Sequence, residues 1–297
     1  MKAVIFPGQG SQYTGMGKSL YDGFSAAGNI FSSVNSILGY ELSKKCFKAE
    51  EAELKDTLIQ QLAILTVSLA AYEAFKTKNI KVDYLAGLSL GEYSCLYAAE
   101  VVNLEGLVTL VKERAQAMQK ASRTGSSTMF AVLGVDRDIV EEKAKQGNFY
   151  IANINSPKQI VISLARGNRE EIRGLFEACG AKVIELEVSG GFHSFFMEPA
   201  KERLKKVIEE IEFEDAKIPI VSNFTAAAHV KSEEIKNNLI QQLVSPVLWN
   251  DCVEFMAAKG VDLFFEVGPS KTLRGLIRKI NPQLKVVNIE KKEDILG

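Results

Sequence analysis

The segment "VDYLAGLSLGEYSCLYAAEVV", Val82 to Val102, sets Ser89 between Gly87 and Gly91 with one leucine on each side. A Gly-x-Ser-x-Gly pentapeptide arises by accident in roughly one chain in ten of this length, so its surroundings must carry the reading. "YLAG" reads as a short buried strand. "LGEYSCLYAAE" is rich in helix formers, with Leu90, Tyr93, Leu96 and Tyr97 at helical spacing. In a strand, tight turn and helix, the glycines let the turn be sharp and the neighbouring backbone come close. The serine hydroxyl is then left at a helix N-terminus, where amides and the dipole favour negative charge. The segment is expected to be a nucleophile elbow in an α/β fold.

Outward from the elbow, "KAVIF" is a strand that runs into the glycine-rich loop "PGQGSQYTGMG". The spacing there fits neither the dinucleotide fingerprint nor the P-loop lysine pattern, so the backbone of this loop is needed for something other than a nucleotide phosphate. From Ser127 the chain alternates as "TMFAVLG" (strand), "DRDIVEEKAKQ" (helix), "FYIANIN" and "QIVISLA" (strands), "NREEIRGLFEAC" (helix) and "AKVIELEV" (strand). This βαββαβ order is the ferredoxin-like split motif, expected as a small domain over 124–189, with Asp136 at the head of its first helix and Gly180 after its second. What precedes and follows, 1–123 and 190–297, is expected to form one larger α/β domain. Its later strands are "KIPIVSN", "DLFFEVGP" and the edge strand "KVVNI", and ligands are expected in the cleft between the two domains.

Composition limits what the protein can be. Of 297 residues, 46% are hydrophobic and 25% charged, with a formal net charge of −1, so no global basic field points to nucleic acid or to a membrane surface. Cys46, Cys95, Cys179 and Cys252 are scattered without a C-x-x-C pair, the pattern of buried thiols in a reducing compartment rather than of disulfides or a metal site. The N-terminal apolar run stops at Pro7, too short for a signal peptide. "LAILTVSLAAYEAF" is interrupted by Thr66 and Ser68 and is read as a core helix, with no run expected to reach the length of a membrane span. A cytoplasmic enzyme is the expectation.

A serine nucleophile needs a base, most often histidine, and the chain has two. His193 lies in "SGGFHSFFMEP", where the chain returns from the small domain to the large one. His229 lies in "NFTAAAHVKSEE", which reads as a solvated loop. A histidine base also needs an orienting partner, a carboxylate or a backbone carbonyl, and no aspartate stands out. For a tetrahedral intermediate, one amide donor is expected from Leu90 and the second from the "GQGSQ" loop.

"FPGQGSQYTGMG", "GLSLGEYSCL", "RAQAMQKA", "GGFHSFFMEPA", "SNFTA", "SPVLW" and "EVGPSKTLRGLIRKI", in this order over nearly the whole chain, resemble the malonyl-CoA:acyl carrier protein transacylase family. The resemblance implies an α/β-hydrolase-like large domain with a ferredoxin-like insert, no cofactor beyond the substrate malonyl-CoA, and acyl carrier protein as partner. It implies Ser89 as the acylated nucleophile, His193 as its base, and the backbone of Gln9 and Leu90 as oxyanion donors. Arg114 matches the arginine that holds the malonate carboxylate. Gln61, Met118 and Phe192 match residues near the acyl group, and Gln242 matches the position whose carbonyl orients the histidine. A guanidinium suits such a clamp because it pairs with a carboxylate through two parallel hydrogen bonds and stays charged when desolvated. The family usually has histidine where Leu88 stands and proline where Leu62 stands; Leu88 is expected beside the acyl pocket, and bulky Phe192 disfavours α-branched acyl groups. Other readings on the same fold are an acyl hydrolase, a trans-acting polyketide acyltransferase and a non-catalytic docking module. The first would not need the carboxylate clamp. Lys271, Arg274, Arg278 and Lys279, and separately Lys201, Arg203, Lys205 and Lys206, are the basic clusters expected to steer an acidic carrier protein.

Overall fold

In the computed structural model, residues 1–123 and 125–296 are described. Thr124, the expected first residue of the small domain, and Gly297, the expected last residue of the large one, lie outside them. Ten strands occur among the described residues: β1 (Lys2–Phe6), β2 (Tyr84–Gly87), β3 (Ser127–Leu133), β4 (Phe149–Ser156), β5 (Gln159–Ala165), β6 (Lys182–Glu185), β7 (Ile220–Val221), β8 (Ala228–His229), β9 (Leu263–Val267) and β10 (Lys285–Ile289). They form a six-stranded sheet in the order β10-β9-β1-β2-β7-β8 and a four-stranded sheet in the order β4-β5-β3-β6.

In the six-stranded sheet every pairing is parallel except that of β8 with β7. Parallel strands are covered on both faces, which is why "AVIF" and "LFF" are apolar without alternation. Successive side chains still point to opposite faces. Val4 and Phe6 enter one apolar cluster with Leu85, Phe265 and Val267, whereas Ala3 and Ile5 enter another with Ala86, Phe264 and Trp249. The first cluster is built around the helix Thr57–Lys76, in which fifteen of twenty residues are buried. That helix is long and apolar enough to cross a membrane by length and composition, which corrects the expectation that no run reaches such a span; it lies largely buried inside the protein.

The four-stranded sheet is antiparallel and follows the βαββαβ order read from the sequence. Its two faces are both used. Phe130 and Ile162 pack under the helices Arg137–Ala144 and Arg169–Glu177 through Val140, Ile172 and Phe176, whereas Met129, Ala131 and Val161 face the main cluster. Edge strand β4 also bonds to the segment before the helix Trp249–Ala258: Ile154 N–H donates to the Val247 carbonyl at 2.9 Å and Val247 N–H to the Ala152 carbonyl at 2.8 Å. The two sheets therefore hold a common core rather than sharing only a loop.

Two expectations need correction here. Cys46, Cys95 and Cys252 are buried free thiols, but Cys179 is exposed, because it follows the end of the helix Arg169–Glu177 at the surface of the small sheet. His229 is not in a solvated loop. It sits in β8 at the sheet edge, its ring bonded to Thr225 Oγ1 at 2.8 Å and Glu234 Oε2 at 2.9 Å.

Candidate active site

Strands β1 and β2 are parallel neighbours with Phe6 opposite Gly87, so the loops after their carboxyl ends leave side by side, where α/β sheets bind ligands. The β2 loop turns at Ser89, with φ 51° and ψ −102°, directly into the helix Leu90–Ala98. Only glycines fit around it: a Cβ on Gly87 would lie 2.0 Å from the Gly91 carbonyl carbon, and one on Gly91 2.1 Å from the Phe6 carbonyl oxygen. A non-glycine residue held in this conformation costs about 1–3 kcal/mol and persists only where its surroundings enforce it. Asn223 does so, accepting the Ser89 N–H at 2.7 Å and donating to the Gly87 carbonyl at 2.8 Å.

His193 comes to the same point from the far end of the small sheet. Its backbone also has positive φ, 54°, and the flanking peptides are pinned: Ser163 Oγ donates to the Phe192 carbonyl at 2.6 Å, and Gly191 N–H donates to Ser127 Oγ at 2.9 Å. The ring lies between Ser89 Oγ, 2.7 Å from Nε2, and the Gln242 carbonyl, 2.8 Å from Nδ1. A carbonyl only accepts, so Nδ1 carries the proton and Nε2 is left to accept from the Ser89 hydroxyl. Burial pushes the imidazole pKa down to about 4; the Gln242 carbonyl opposes this and the charge of Arg114 adds to it.

Arg114, on the helix Leu104–Ser122, has no exposed surface. Nη1 donates to Gln61 Oε1 at 2.6 Å and Nη2 to Ser89 Oγ at 3.1 Å, and the guanidinium carbon stands 4.8 Å from the centroid of the Tyr93 ring. Its Nε has no partner among the described residues. No salt bridge to Arg114 occurs among them either, so this is a buried cation without a paired carboxylate. Gln61 extends the cluster, reaching Gln9 Oε1 at 3.4 Å and Met118 Sδ at 3.5 Å. Gln9 and Phe192 line a cleft of about 330 Å³ together with Gln60, Thr57 and Val188. Neither the Gln9 nor the Leu90 N–H donates a hydrogen bond among the described residues. Every residue that the sequence proposed for the site is thus within one connected neighbourhood.

The chain matches the acyl transferase domain family over residues 4–293. It is 40% identical over 299 residues to the malonyl CoA-acyl carrier protein transacylase of Bacillus subtilis (strain 168), covering 99% of this chain and 94% of that one. The chain belongs to the malonyl CoA-acyl carrier protein transacylase family. Among solved structures it is similar to an acyl carrier protein S-malonyltransferase from Vibrio cholerae, with a TM-score of 0.95, 35% identity, and coverage of 99% of this chain and 98% of that one. It is also similar to a malonyl-transacylase solved in complex with a type II PKS acyl-carrier protein, with a TM-score of 0.94, 33% identity, and coverage of 99% and 97%. The family's mixed α/β fold is therefore this chain's fold.

Two departures from the family pattern have different settings. Leu88 packs against the cluster of Ala3, Ile5, Val247 and Trp249. Leu62 is a buried member of the main cluster beside Gln61. Of the basic clusters, Arg203 is tied to Glu113 at 2.7 Å and Lys201 to Glu198 at 3.5 Å. On the helix Thr272–Ile280 and just before it, Lys271, Arg274 and Arg278 are exposed and form no salt bridge among the described residues.

Two site residues went unnoticed in the sequence, Asn223, which holds the elbow, and Glu92. Glu92 is 2% exposed, and its Oε2 accepts from Asn223 N–H at 3.0 Å and from Gln242 Nε2 at 2.7 Å. Burial pushes its carboxyl up to about 7 against the pull of these hydrogen bonds and of Arg114. The available signal was a carboxylate inside "LGEYSCLYA", a helix otherwise made of small and apolar residues.

Proposed function

We propose that the protein moves a malonyl group from malonyl-CoA to the phosphopantetheine thiol of an acyl carrier protein through an ester on Ser89. The observation that carries this reading is the buried Arg114 guanidinium, 3.1 Å from Ser89 Oγ and without a salt-bridged carboxylate among the described residues. A charge left unpaired in an interior is costly unless a ligand supplies the counter-charge. A malonyl thioester carries such a carboxylate two carbons from the carbonyl that Ser89 would attack.

In the proposed reaction His193 Nε2 removes the Ser89 hydroxyl proton as Oγ attacks the thioester carbonyl. The Gln9 and Leu90 amides receive the oxyanion. The C–S bond then breaks and CoA leaves as its thiol with the proton that His193 held. In the second half His193 takes the proton of the carrier thiol, the thiolate attacks the Ser89 ester, and Oγ regains its proton as it leaves. No cofactor takes part in these steps. Phe192 narrows the acyl site against α-branched groups, and Gln61 and Met118 complete its wall beside Arg114. We assign 1–123 and 190–297 to an α/β-hydrolase-like catalytic domain and 124–189 to a ferredoxin-like insert, in a cytoplasmic protein serving fatty-acid or polyketide synthesis. Incubation with radiolabelled malonyl-CoA and then with holo carrier protein tests the reading. The label should pass to the protein and on to the carrier; label that never leaves CoA, or that goes only to water, contradicts it.

The lowered His193 pKa gives a pH prediction. In the free enzyme the imidazole stays neutral until pH falls to about 4, so kcat/KM for malonyl-CoA should be flat from about pH 8 to about pH 5. A half-maximal rate near pH 6.5 would place His193 in water rather than in this site. The same shift makes stability fall with acid. Between pH 6.5 and about 4 the unfolded chain binds a proton at this histidine and the fold does not, so the contribution is complete above 6.5 and is lost toward 4.

Carrier docking is assigned to the free cations at the helix Thr272–Ile280. Reversing Lys271, Arg274 and Arg278 together to glutamate should raise the KM for carrier protein, more at low salt than at high, and leave malonyl-enzyme formation unchanged. The same reversal at Lys205 and Lys206 serves as the comparison. An unaltered KM in the first variant moves the docking surface elsewhere.

A further inference from the structure

Glu92 is a buried acid with no part in the reaction steps above, and burying it works against stability. With its pKa raised from 4.5 to about 7, the folded chain holds a proton there that the unfolded chain releases, so stability declines as pH rises from 4.5 through 7. The charged group facing it is Arg114; Tyr93 and Cys95 on its own helix and Cys252 on the helix Trp249–Ala258 have pKa values raised by burial and stay neutral in this range. A leucine would fill the volume at lower cost but would accept no hydrogen bond. What the Glu92 oxygen does is geometric.

Its single oxygen Oε2 meets two donors from segments far apart in sequence: the Asn223 amide and the Gln242 side chain. Each of these holds one half of the reacting pair. Asn223 Oδ1 accepts the Ser89 N–H at 2.7 Å, fixing the strained elbow, while the Gln242 carbonyl accepts from His193 Nδ1 at 2.8 Å, fixing the ring. The Gln242 amide also donates to the Ser89 carbonyl at 3.1 Å, which closes the ring of contacts. We infer that Glu92 is the positioning residue of the Ser89–His193 pair, setting the distance between Oγ and Nε2 by anchoring Gln242 and Asn223 on one carboxylate oxygen. This role resembles that of the third member of a triad, but it acts through the backbone and side-chain groups of Asn223 and Gln242 and touches neither reacting atom. The inference rests on Ser89 and His193 being the reacting pair.

Single-turnover formation of malonyl-enzyme in Glu92→Ala, Glu92→Gln and Gln242→Met tests it. Removing the acceptor leaves two buried donors unpaired and the pair loosely held, so Glu92→Ala should slow acylation by roughly 10- to 100-fold while KM for malonyl-CoA changes less than about 2-fold. Glutamine keeps an oxygen able to accept both bonds, so Glu92→Gln should recover most of the rate and melt no lower than wild type at pH 8. Gln242→Met keeps the carbonyl on His193 but cuts the link to Glu92, and should slow acylation at unchanged KM, which serves if the alanine variant does not fold. Acylation at the wild-type rate in Glu92→Ala or in Gln242→Met overturns the inference, as does a loss in KM alone. Wild-type protein that forms no malonyl-enzyme would instead overturn the assignment of Ser89 and His193.

Discussion

Ser89→Ala should lower malonyl transfer by roughly 10⁴-fold or more and abolish the covalent acyl-enzyme, since the group proposed to bond to the acyl carbon is gone. The fold should be undisturbed. Alanine tolerates the position no worse than serine does, because the positive φ is enforced by Asn223 on the backbone and by the contact of Gly87 with Gly91 rather than by the hydroxyl. The serine hydroxyl itself is hydrogen-bonded to His193 and Arg114. Melting within a few degrees of wild type together with loss of transfer is the expected pair of results. A malonyl adduct that still accumulates on the alanine variant would mean that another residue is the nucleophile.

Arg114→Ala should reverse the acyl preference. If the guanidinium pairs with the malonate carboxylate in a site without solvent, removing it strands that charge, a loss of about 2–5 kcal/mol for a buried charge pair. At about 1.4 kcal/mol per tenfold this is roughly thirty-fold to several thousand-fold in kcat/KM for malonyl-CoA. Acetyl-CoA carries no carboxylate and should be transferred at least as well as before, because the desolvated cation beside its methyl group has been removed. Arg114→Lys should restore only part of the malonyl rate, since an ammonium cannot keep the bond to Gln61 and offer a planar pair to the substrate at once. Equal losses for malonyl and acetyl transfer would make Arg114 a structural cation packed on Tyr93.

The parts of this site that were legible in the sequence are those encoded by near neighbours. The elbow is spelled by Gly87 and Gly91 around Ser89, because the close approach of backbone that excludes every other residue occurs within the same turn and the adjacent strand. The βαββαβ unit is spelled by its alternating periods, since its central strands β3 and β5 have one face on its own helices and the other on the main cluster. Arg114 was different. On the helix Leu104–Ser122 it stands between Glu113, which is partly exposed, and buried Ala115, and nothing local says that it is buried. Only the resemblance selected it. Glu92 was missed for the same reason in stronger form, since its partners lie 131 and 150 residues away. The misreading of His229 came from composition: lysine and glutamates follow it, yet β8 pairs with β7 and the ring bonds to Glu234, so it sits half-buried at the sheet edge.

The most direct test of the account is peptide mass mapping of wild-type protein quenched in acid after brief exposure to equimolar malonyl-CoA and acetyl-CoA, before and after adding holo carrier protein. The account predicts a malonyl ester on the peptide that contains Ser89, in large excess over acetyl, and its disappearance as malonyl-carrier forms. Malonyl on any other residue, or acetyl in equal amount on Ser89, would contradict it.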